Sequence, residues 1–213
     1  ILLPMLDSTF CTSMISSIES TLLPLGYSVI VCECHNNAEM ELRKTQYLID
    51  RMVDGIVLIP YASDGKQIEM IQKSNIPLIL LDQEIQDHAT DCIVLDNELA
   101  GYESTQRLID LGHKRIAGLF KEDDVQGIER KKGYLRALEE NNIEIDSTIV
   151  GKFKTFEEDF YIDGFTRSLL CRNDRPTAIF CYNDKVAMKV VKVAEELGLK
   201  IPEDLSIVGY DND

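Results

Sequence analysis

Short apolar runs alternate along this 213-residue chain with stretches in which apolar residues recur at helical spacing. Runs such as Ile56–Ile59 and Leu78–Leu81 show no polar alternation, which predicts strands buried on both faces. Strands are predicted at the first residues and then at Ser28–Cys34, Gly55–Pro60, Leu78–Asp82, Cys92–Asp96, Arg115–Phe120, Thr148–Phe153, Thr177–Tyr182 and Ser206–Asp211. The pattern is typical of parallel sheets covered by helices on each side.

The stretches between these strands carry the helical signal. Two apolar stripes come first: Met14, Ile15, Ile18 and Leu22, and then Leu42, Tyr47, Leu48 and Met52 with a charged face opposite. Later helices are predicted over Glu98–Leu111, Gly127–Asn141, Phe160–Leu170 and Lys185–Leu197. Gly112 and Gly198 follow two of them, where left-handed C-terminal caps are expected. Because strands and helices alternate, right-handed crossovers and a doubly wound α/β fold are predicted.

The strands could form one sheet or two. The polar, irregular stretch 83–91 lies between two strands, and we place the change of sheet just after it, near residues 95–97. The prediction is an N-terminal lobe over residues 1–95 and a C-terminal lobe over residues 96–213. The chain starts within an apparent strand and stops as another ends, so we expect it to be an excerpt of a longer protein.

The composition of the chain argues against several classes of function. Lys and Arg total 22 against 37 Asp and Glu, a formal net charge of −15, whereas nucleic-acid binders carry a basic patch. Any DNA contact would therefore be made by a segment outside this chain. No run is long and apolar enough for a membrane span, and no secretory signal is visible. The six cysteines form no C-x-x-C pair, which favours reduced thiols in a cytoplasmic protein.

One metal-site alternative exists at Cys32-x-Cys34-His35. In an extended strand Cys32 and Cys34 share a face, but His35 points away, so the three side chains do not converge simply. No metal and no cofactor is therefore predicted.

Polar residues follow most of the apolar runs, at the strand ends where open α/β sheets bind ligands. They are Asp7, Ser8, Thr9 and Phe10; Asn36 and Asn37; Asp82 and Gln83; Asp96 and Asn97; Asp123, Asp124 and Gln126; Asn183 and Asp184; and Asp211, Asn212 and Asp213, with Arg130 one turn into its helix. Carboxylates accept hydrogen bonds from sugar hydroxyls, while arginine and asparagine donate to them. The set suits a neutral polyhydroxylated ligand, with Phe10 against the apolar face of the sugar ring.

Structural roles remain open for several of these residues. Asp96, Asn183 and Asp184 could cap the helices that follow them, Arg130 could be a solvated helix residue, and Phe10 could belong to the core. The chain has no glycine-rich phosphate loop and no nucleophile elbow, and no Ser/His or Cys/His pairing stands out in the sequence. A sugar isomerase or hydrolase working through paired carboxylates remains the enzymatic alternative, although no enzyme is predicted.

Six segments carry a family resemblance, in order and with the family's spacing. They are Gly26-Tyr27-Ser28, Val53-Asp54-Gly55-Ile56, residues 111–116 (LGHKRI), Arg130-x-x-Gly133-Tyr134, residues 176–184 (PTAIFCYND) and residues 202–211 (PEDLSIVGYD). Together they resemble the effector-binding domain of LacI/GalR-type repressors, which shares its fold with periplasmic sugar-binding proteins. Residues 119–130 are closer still to arabinose-responsive repressors, which join a GntR-type winged-helix DNA-binding domain to such a domain.

The resemblance implies two lobes joined by hinge crossovers, with a sugar effector in the cleft. Binding would close the lobes of a homodimer and so control operator DNA through an N-terminal domain. The ligand-binding residues that it implies are Phe10, Asp82, Gln126, Arg130, Asn183 and Asp211, with arabinose or a related monosaccharide as effector. A transport-type sugar-binding protein of the same fold is the alternative.

The chain departs from the family's pattern at three points. Gln83 stands where many relatives carry arginine, and Phe156 and Phe160 compete for the second-lobe aromatic. The family's return segment to the first lobe lies beyond Asp213, so the domain is expected to be incomplete at its C-terminus.

Overall fold

The computed structural model describes residues 1–6 and 9–212. In chain order its elements are β1 (Leu2–Leu3), α1 (Thr9–Leu22), β2 (Cys32–Glu33), α2 (Ala38–Asp50), β3 (Ile56–Leu58), α3 (Lys66–Lys73), β4 (Leu78–Leu81), β5 (Asp91–Ile93), α4 (Asn97–Asp110), β6 (Ile116–Lys121), α5 (Val125–Glu140), β7 (Val150–Phe153), α6 (Glu158–Leu170), β8 (Ala178–Cys181), α7 (Asp184–Glu196) and β9 (Ser206–Val208). The chain divides into two compact units, unit 1 at Ile1–Leu95 and unit 2 at Asp96–Asp213.

Each unit contains one parallel sheet. The order in unit 1 is β2-β1-β3-β4-β5, and the order in unit 2 is β7-β6-β8-β9. Every strand pair is parallel, with Leu2 opposite Leu58 in unit 1 and Gly118 opposite Phe180 in unit 2. Helices connect the other successive strands of each sheet, whereas the parallel neighbours β4 and β5 are joined by residues 82–90 without a helix. These sheets confirm the predicted α/β class with two doubly wound parallel lobes.

Neighbouring residues of one strand enter different cores in unit 2. Leu119 and Ile179 belong to a cluster that includes residues of α6 and α7, whereas Phe120 and Phe180 pack with Tyr134 of α5. The Phe120 and Tyr134 ring centroids are 5.2 Å apart. Side chains alternate between the two faces of a strand, so an uninterrupted apolar run is buried on both. Burying a large apolar side chain contributes about 1.5–3 kcal/mol.

Some predicted boundaries were wrong. The strand expected at Ser28–Cys34 is confined to Cys32–Glu33, and the last strand ends at Val208 instead of Asp211. The two-turn helix α3 was not predicted, because Ile68 and Ile71 are its only fully buried apolar residues and give too short a periodic signal. Residues 147–149 form a 3-10 turn that precedes β7.

The predicted apolar face of α2 was wrong in part: Leu48 is buried and Leu42 is half-buried, but Tyr47 and Met52 are exposed. Its buried residues are Glu41, Thr45 and Leu48, whereas Tyr47 is 41% exposed and Met52, just beyond the helix, is 85% exposed. The helix buries this face because the Glu41 carboxylate accepts two backbone hydrogen bonds from the loop after β3. Hydrophobic periodicity alone does not reveal such a partner.

Other local predictions can be checked directly. Gly112 and Gly198 have φ angles of 94° and 75°, which confirms both left-handed helix ends. All six cysteines are free thiols. Cys32 and Cys34 lie in the unit 1 core, while the largely exposed His35 contacts Glu33 at 3.3 Å. Among residues 1–6 and 9–212, no cluster of His, Cys, Asp and Glu is arranged to hold a metal ion.

None of the helices described above combines the length and the apolar character that a transmembrane segment needs.

Candidate functional site

The side chain of Arg130 lies at the carboxyl ends of the unit 2 strands, where it is 4% exposed. Its Nε donates to Asn97 Oδ1 at 2.9 Å, and its Nη1 donates to the carbonyl oxygen of Tyr182 at 2.7 Å. Its Nη2 is 3.6 Å from Asp211 Oδ1, beyond hydrogen-bond distance. The guanidinium is therefore buried with partners on several sides, and the interpretation of Arg130 as a solvated helix residue was wrong.

Two aromatic rings flank the same guanidinium. Its central carbon lies 3.7 Å from the ring centroid of Tyr210 and 5.1 Å from that of Tyr182. Cation–π contacts of this kind stabilise a partly desolvated charge. Tyr210 follows β9 and Tyr182 follows β8, so both rings come from the strand-end region where ligand contacts were predicted.

Close packing of α4 and α5 fixes the position of Arg130. A Cβ added at Gly101 would lie 2.1 Å from the Arg130 carbonyl oxygen, and one added at Gly133 would lie 1.9 Å from the Glu98 carbonyl oxygen. Only glycine permits this approach of two helix backbones. The Gly133 of the Arg130-x-x-Gly133 segment therefore contributes to the placement of the arginine.

Asp124 caps the beginning of α5, the helix that carries Arg130. Its Oδ1 accepts from the Gly127 N–H at 2.7 Å, which caps α5, and its Oδ2 accepts from the Tyr182 hydroxyl at 2.7 Å. The Nζ of Lys121 lies 3.1 Å from the same Oδ2. Burial, reinforced by the Asp124 carboxylate, raises the pKa of Tyr182, so its hydroxyl remains a hydrogen-bond donor.

Asp96 and Asn183 are helix caps, as Asn37 and Asp124 are. Asp96 Oδ1 accepts from the Leu99 N–H at 2.8 Å, and Asn183 Oδ1 accepts from the Val186 N–H at 3.0 Å. Asp184 is instead the first residue of α7, and its N–H donates to the Tyr210 carbonyl oxygen at 2.9 Å. A ligand contact by Asn183 would therefore use its amide NH2 group, since its carbonyl oxygen caps the helix.

The other proposed unit 2 residues lie nearby in the chain. Gln126 is half-buried in the first turn of α5, one turn before Arg130. Asp211 has a φ angle of 96°, a left-handed conformation that Asp tolerates better than most residues. Arg130 and Asp211 are thus brought together directly, and Asn183 follows the tyrosine whose carbonyl oxygen the arginine binds.

Sequence reasoning missed part of this site. Tyr182 and Tyr210 were not proposed as functional residues, although each directly precedes a residue that was. Asn97 and Asp124 were noted as strand-end polar residues without an assigned role. The usable signal is position: each of the four residues follows a strand or begins the next helix.

In unit 1, Asp82 and Phe10 lie near the ends of different elements. Asp82 follows β4 with a φ angle of 67°, and its N–H donates to the Ile93 carbonyl oxygen at 2.9 Å. Phe10 is 43% exposed in the first turn of α1, so its interpretation as a core residue was wrong. Gln83 is half-buried beside Asp82. The predicted contacts Asp7, Ser8 and Asp213 lie outside the described residues.

The loop after β3 is held from behind by α2 and α3. Glu41 Oε1 accepts from the Tyr61 N–H at 2.7 Å and its Oε2 from the Ala62 N–H at 3.0 Å. Gln67 Nε2 donates to the Ala62 carbonyl oxygen at 2.8 Å. Burial raises the pKa of Glu41 although these two backbone hydrogen bonds oppose the effect. Glu41 and Gln67 therefore shape a strand-end loop without facing solvent.

The second-lobe aromatic remains unassigned. Phe156 and Phe160 are 80% and 92% exposed, at the 3-10 turn and the helix that follow β7. The Asp123 carboxylate accepts from the Thr155 N–H at 3.0 Å, which ties this segment to the end of β6.

Comparison with known proteins places the site in context. Residues 1–212 match the family described as periplasmic binding proteins and sugar binding domain of LacI family. An arabinose metabolism transcriptional repressor of Halalkalibacterium halodurans is 32% identical over 94% of this chain and 55% of its own length. The HTH-type transcriptional repressor PurR of Vibrio vulnificus is 33% identical over 95% of this chain and 61% of its own length. The chain thus spans a little over half the length of these curated relatives.

Solved structures agree on the fold. The transcriptional regulator CelR in complex with cellobiose has a TM-score of 0.85 at 26% identity, covering 100% of this chain and 67% of that one. The transcription regulator CcpA of Lactococcus lactis has a TM-score of 0.83 at 28% identity, covering 99% of this chain and 77% of that one.

Proposed function

Because the chain belongs to the family of periplasmic binding proteins and LacI-type sugar-binding domains, we propose that it is the sugar-responsive effector domain of a bacterial transcriptional repressor. The effector is a neutral monosaccharide, with arabinose first, since one relative is named for arabinose metabolism. The whole protein acts in the cytoplasm as a homodimer and reaches operator DNA through a DNA-binding domain outside this chain.

The environment of Arg130 carries the proposal. Burying a charged group is unfavourable unless it is well hydrogen-bonded, and two of the five guanidinium N–H groups donate to described residues at ordinary distances. The third nitrogen lies 3.6 Å from a partly exposed carboxylate. A sugar hydroxyl both donates and accepts, so it can accept from Arg130 and donate to Asp211. The Tyr210 ring beside them offers an apolar face.

The remaining proposed contacts divide between the units. Gln126 and Asn183 offer amide groups in unit 2, while Asp82 and Phe10 offer a carboxylate and a ring in unit 1. A ligand that engages side chains of both units favours the conformational state in which these contacts coexist. Moving an equilibrium from 1:99 to 99:1 needs about 5.5 kcal/mol of differential affinity, which a few charge-assisted hydrogen bonds supply at about 1.5–3 kcal/mol each.

The test begins with a thermal-shift screen of the full-length protein against pentoses, hexoses, disaccharides and their phosphates. A ligand at 100 times its Kd stabilises the folded state by about 2.7 kcal/mol, so the effector separates from non-binders. Calorimetry then compares variants. Asp211→Asn keeps the side-chain shape but loses a charged acceptor, and its affinity should fall roughly 10- to 100-fold.

A matched pair tests the unit 1 contribution. Asp82 and Asp87 are both aspartates with left-handed φ angles, 67° and 64°, in the same loop region. Asn tolerates this conformation, so both substitutions carry a similar backbone cost. Asp82→Asn should weaken sugar binding about tenfold or more, while Asp87→Asn should leave it unchanged. Equal affinities for the wild type, Asp82→Asn and Asp211→Asn would remove the proposed site.

Two further readouts separate the alternatives. The bound sugar should be recovered chemically unchanged, and turnover would instead support a sugar-modifying enzyme. The sugar should also change the affinity of the full-length protein for DNA, and by thermodynamic linkage DNA should change its affinity for sugar by the same factor. Sugar binding with no effect on DNA would favour a transport-type binding protein.

A further inference from the structure

A cavity of about 210 Å³ is lined by residues of α5, β6 and β7 and by Glu122, which follows β6; Arg130 and the groups that it contacts directly are not in its lining. Four lysines line it: Lys121, Lys131, Lys132 and Lys152. Glu122 is the one acidic residue of the lining, and Phe120, Ile128 and Leu135 supply apolar surface. We call this cavity the lysine groove. Such a concentration of positive charge stands out in a chain with a net charge of −15.

The residue spacing along α5 and the register between β6 and β7 bring these side chains together. Ile128, Lys131, Lys132 and Leu135 are spaced three, one and three residues apart, which puts them on one stripe of α5. Lys152 on β7 stands opposite Phe120 of β6 in the strand register, and β7 is the outer strand of the unit 2 sheet as described. Phe120 faces α5 and packs against Tyr134, so the groove has a rigid apolar floor.

The charges of the groove are only partly balanced within the protein. The Lys121 ammonium lies 3.1 Å from the Asp124 carboxylate. Among the described residues, no carboxylate lies within ion-pair distance of Lys131, Lys132 or Lys152. Burial, followed by the adjacent Lys152, lowers the pKa of Lys131, while Glu122 opposes this effect. Lys131 and Lys152 therefore repel each other, and an anion between them would relieve the repulsion.

We propose that the lysine groove is a second ligand site of this domain, which binds the phosphate group of a small molecule between Lys131 and Lys152. Lysine is a flexible point charge that suits phosphate, and a doubly charged anion interacts with both ammonium groups at once. The small volume of the groove fits a small anion, and its apolar floor favours a phosphate monoester over free phosphate. The inference goes beyond the proposed sugar site, because it uses none of the same side chains.

The experiment measures binding of two probes, inorganic phosphate and phenyl phosphate, by calorimetry on the full-length protein. Ionic strength is held constant with sodium chloride, since screening would otherwise change every surface charge. Lys131→Gln and Lys152→Gln should each weaken binding at least tenfold. Lys192→Gln changes the same charge on an exposed face of α7 and should bind both probes as the wild type does. Tighter binding of phenyl phosphate identifies a monoester ligand, and equal binding identifies free phosphate.

Thermal unfolding gives an independent readout. Without phosphate, Lys152→Gln should unfold at the same temperature as the wild type or higher, because it removes a repulsive charge. With phosphate, the order should reverse, because only the wild type gains stability from the ligand. Undetectable binding, or equal binding by the wild type and both groove variants, would overturn the proposal. Asp211→Asn should bind both probes normally, so failure of the sugar site does not decide this test.

Discussion

Both units bury a charged side chain near the ends of their strands, but the two charges have different surroundings. In unit 2, Arg130 donates to Asn97 and to the Tyr182 carbonyl oxygen, and its remaining nitrogen lies near a partly exposed carboxylate. In unit 1, both oxygens of Glu41 accept N–H groups of the adjacent loop. Among the described residues, two of the five N–H groups of Arg130 donate at hydrogen-bond distance, which leaves donors for a ligand, whereas both Glu41 oxygens accept from the backbone.

This difference separates ligand recognition from scaffolding. The Arg130 environment is arranged before any ligand arrives, and a preorganised group loses less conformational entropy on binding. The unit 1 groups proposed to contact the ligand, Phe10 and Asp82, lie at half-exposed positions, while Glu41 supports a neighbouring loop from behind. Substitutions at the buried charge should therefore affect stability and binding together in unit 2, but mainly stability in unit 1.

Removing the unit 2 charge should have the largest effect. Arg130→Met keeps the length and apolar stem of the side chain but leaves Asn97, the Tyr182 carbonyl oxygen and Asp211 without their partner. Removing one member of a buried ionic network typically destabilises by about 3–5 kcal/mol. Urea unfolding should show this loss, hydrogen exchange should locate it in unit 2, and sugar binding should be abolished.

Arg136 provides the control on the same helix. Its side chain is 40% exposed and pairs with Glu98 and Glu140, and exposed pairs contribute about 0–1 kcal/mol. Arg136→Met should therefore change stability by about 1 kcal/mol or less and leave sugar binding intact. If Arg130→Met proves as mild as this control, the buried network does not hold unit 2 together.

The unit 1 charge should have a smaller effect. Glu41→Leu removes the acceptor of two loop N–H groups, and each hydrogen bond to a charged group contributes about 1.5–3 kcal/mol. The substitution also removes the free-energy cost of burying the carboxylate, which offsets part of this loss. We therefore expect a net destabilisation of about 2–3 kcal/mol. Hydrogen exchange should report it at Tyr61 and Ala62. Glu39→Leu, an exposed change in the first turn of the same helix, should alter stability by about 1 kcal/mol or less.

The same comparison shows what sequence reasoning can and cannot reach. The sheets were predictable because unbroken runs such as Ile56–Leu58 and Ala178–Cys181 have one physical explanation, burial on both faces. Arg130 was proposed from its spacing within a family segment. The inward position of Glu41 was not predicted, because its hydrogen-bond partners lie 20 and 21 residues away and leave no periodic signal in the sequence.

The sequence pattern also does not predict how the aromatic rings around Arg130 are arranged. Tyr182 and Tyr210 flank Arg130 only because β8 and β9 are neighbours in the sheet and end at the same edge. Strand order follows from packing among all elements, so the sequence predicted that polar strand-end residues form one site without predicting that these two rings flank the guanidinium.

The smallest effect is a pH dependence whose sign differs between the units. In unit 1 burial raises the pKa of Glu41 in the folded protein above its ordinary value of 4.5. The folded state therefore binds this proton more tightly than the unfolded chain does, and the contribution of Glu41 to stability falls as pH rises above 4.5. In unit 2 the Thr148 hydroxyl and N–H, together with Arg115, lower the pKa of Asp146 from 3.8 to about 2. The unfolded chain therefore binds the Asp146 proton first as pH falls, and that contribution is lost between pH 3.8 and about 2.

Measuring urea unfolding against pH for the wild type, Glu41→Leu and Asp146→Asn isolates each contribution as a difference between curves. The difference in unfolding free energy between the wild type and Glu41→Leu should change with pH only above pH 4.5. The corresponding difference for Asp146→Asn should change only below pH 3.8. The side chain of Asp146 is still 28% exposed, so solvent screens its charge and its slope should be shallow. Every other carboxylate titrates equally in both curves of a pair. If the two differences changed with pH in the same direction, the carboxylates of the two units would not respond oppositely to acid.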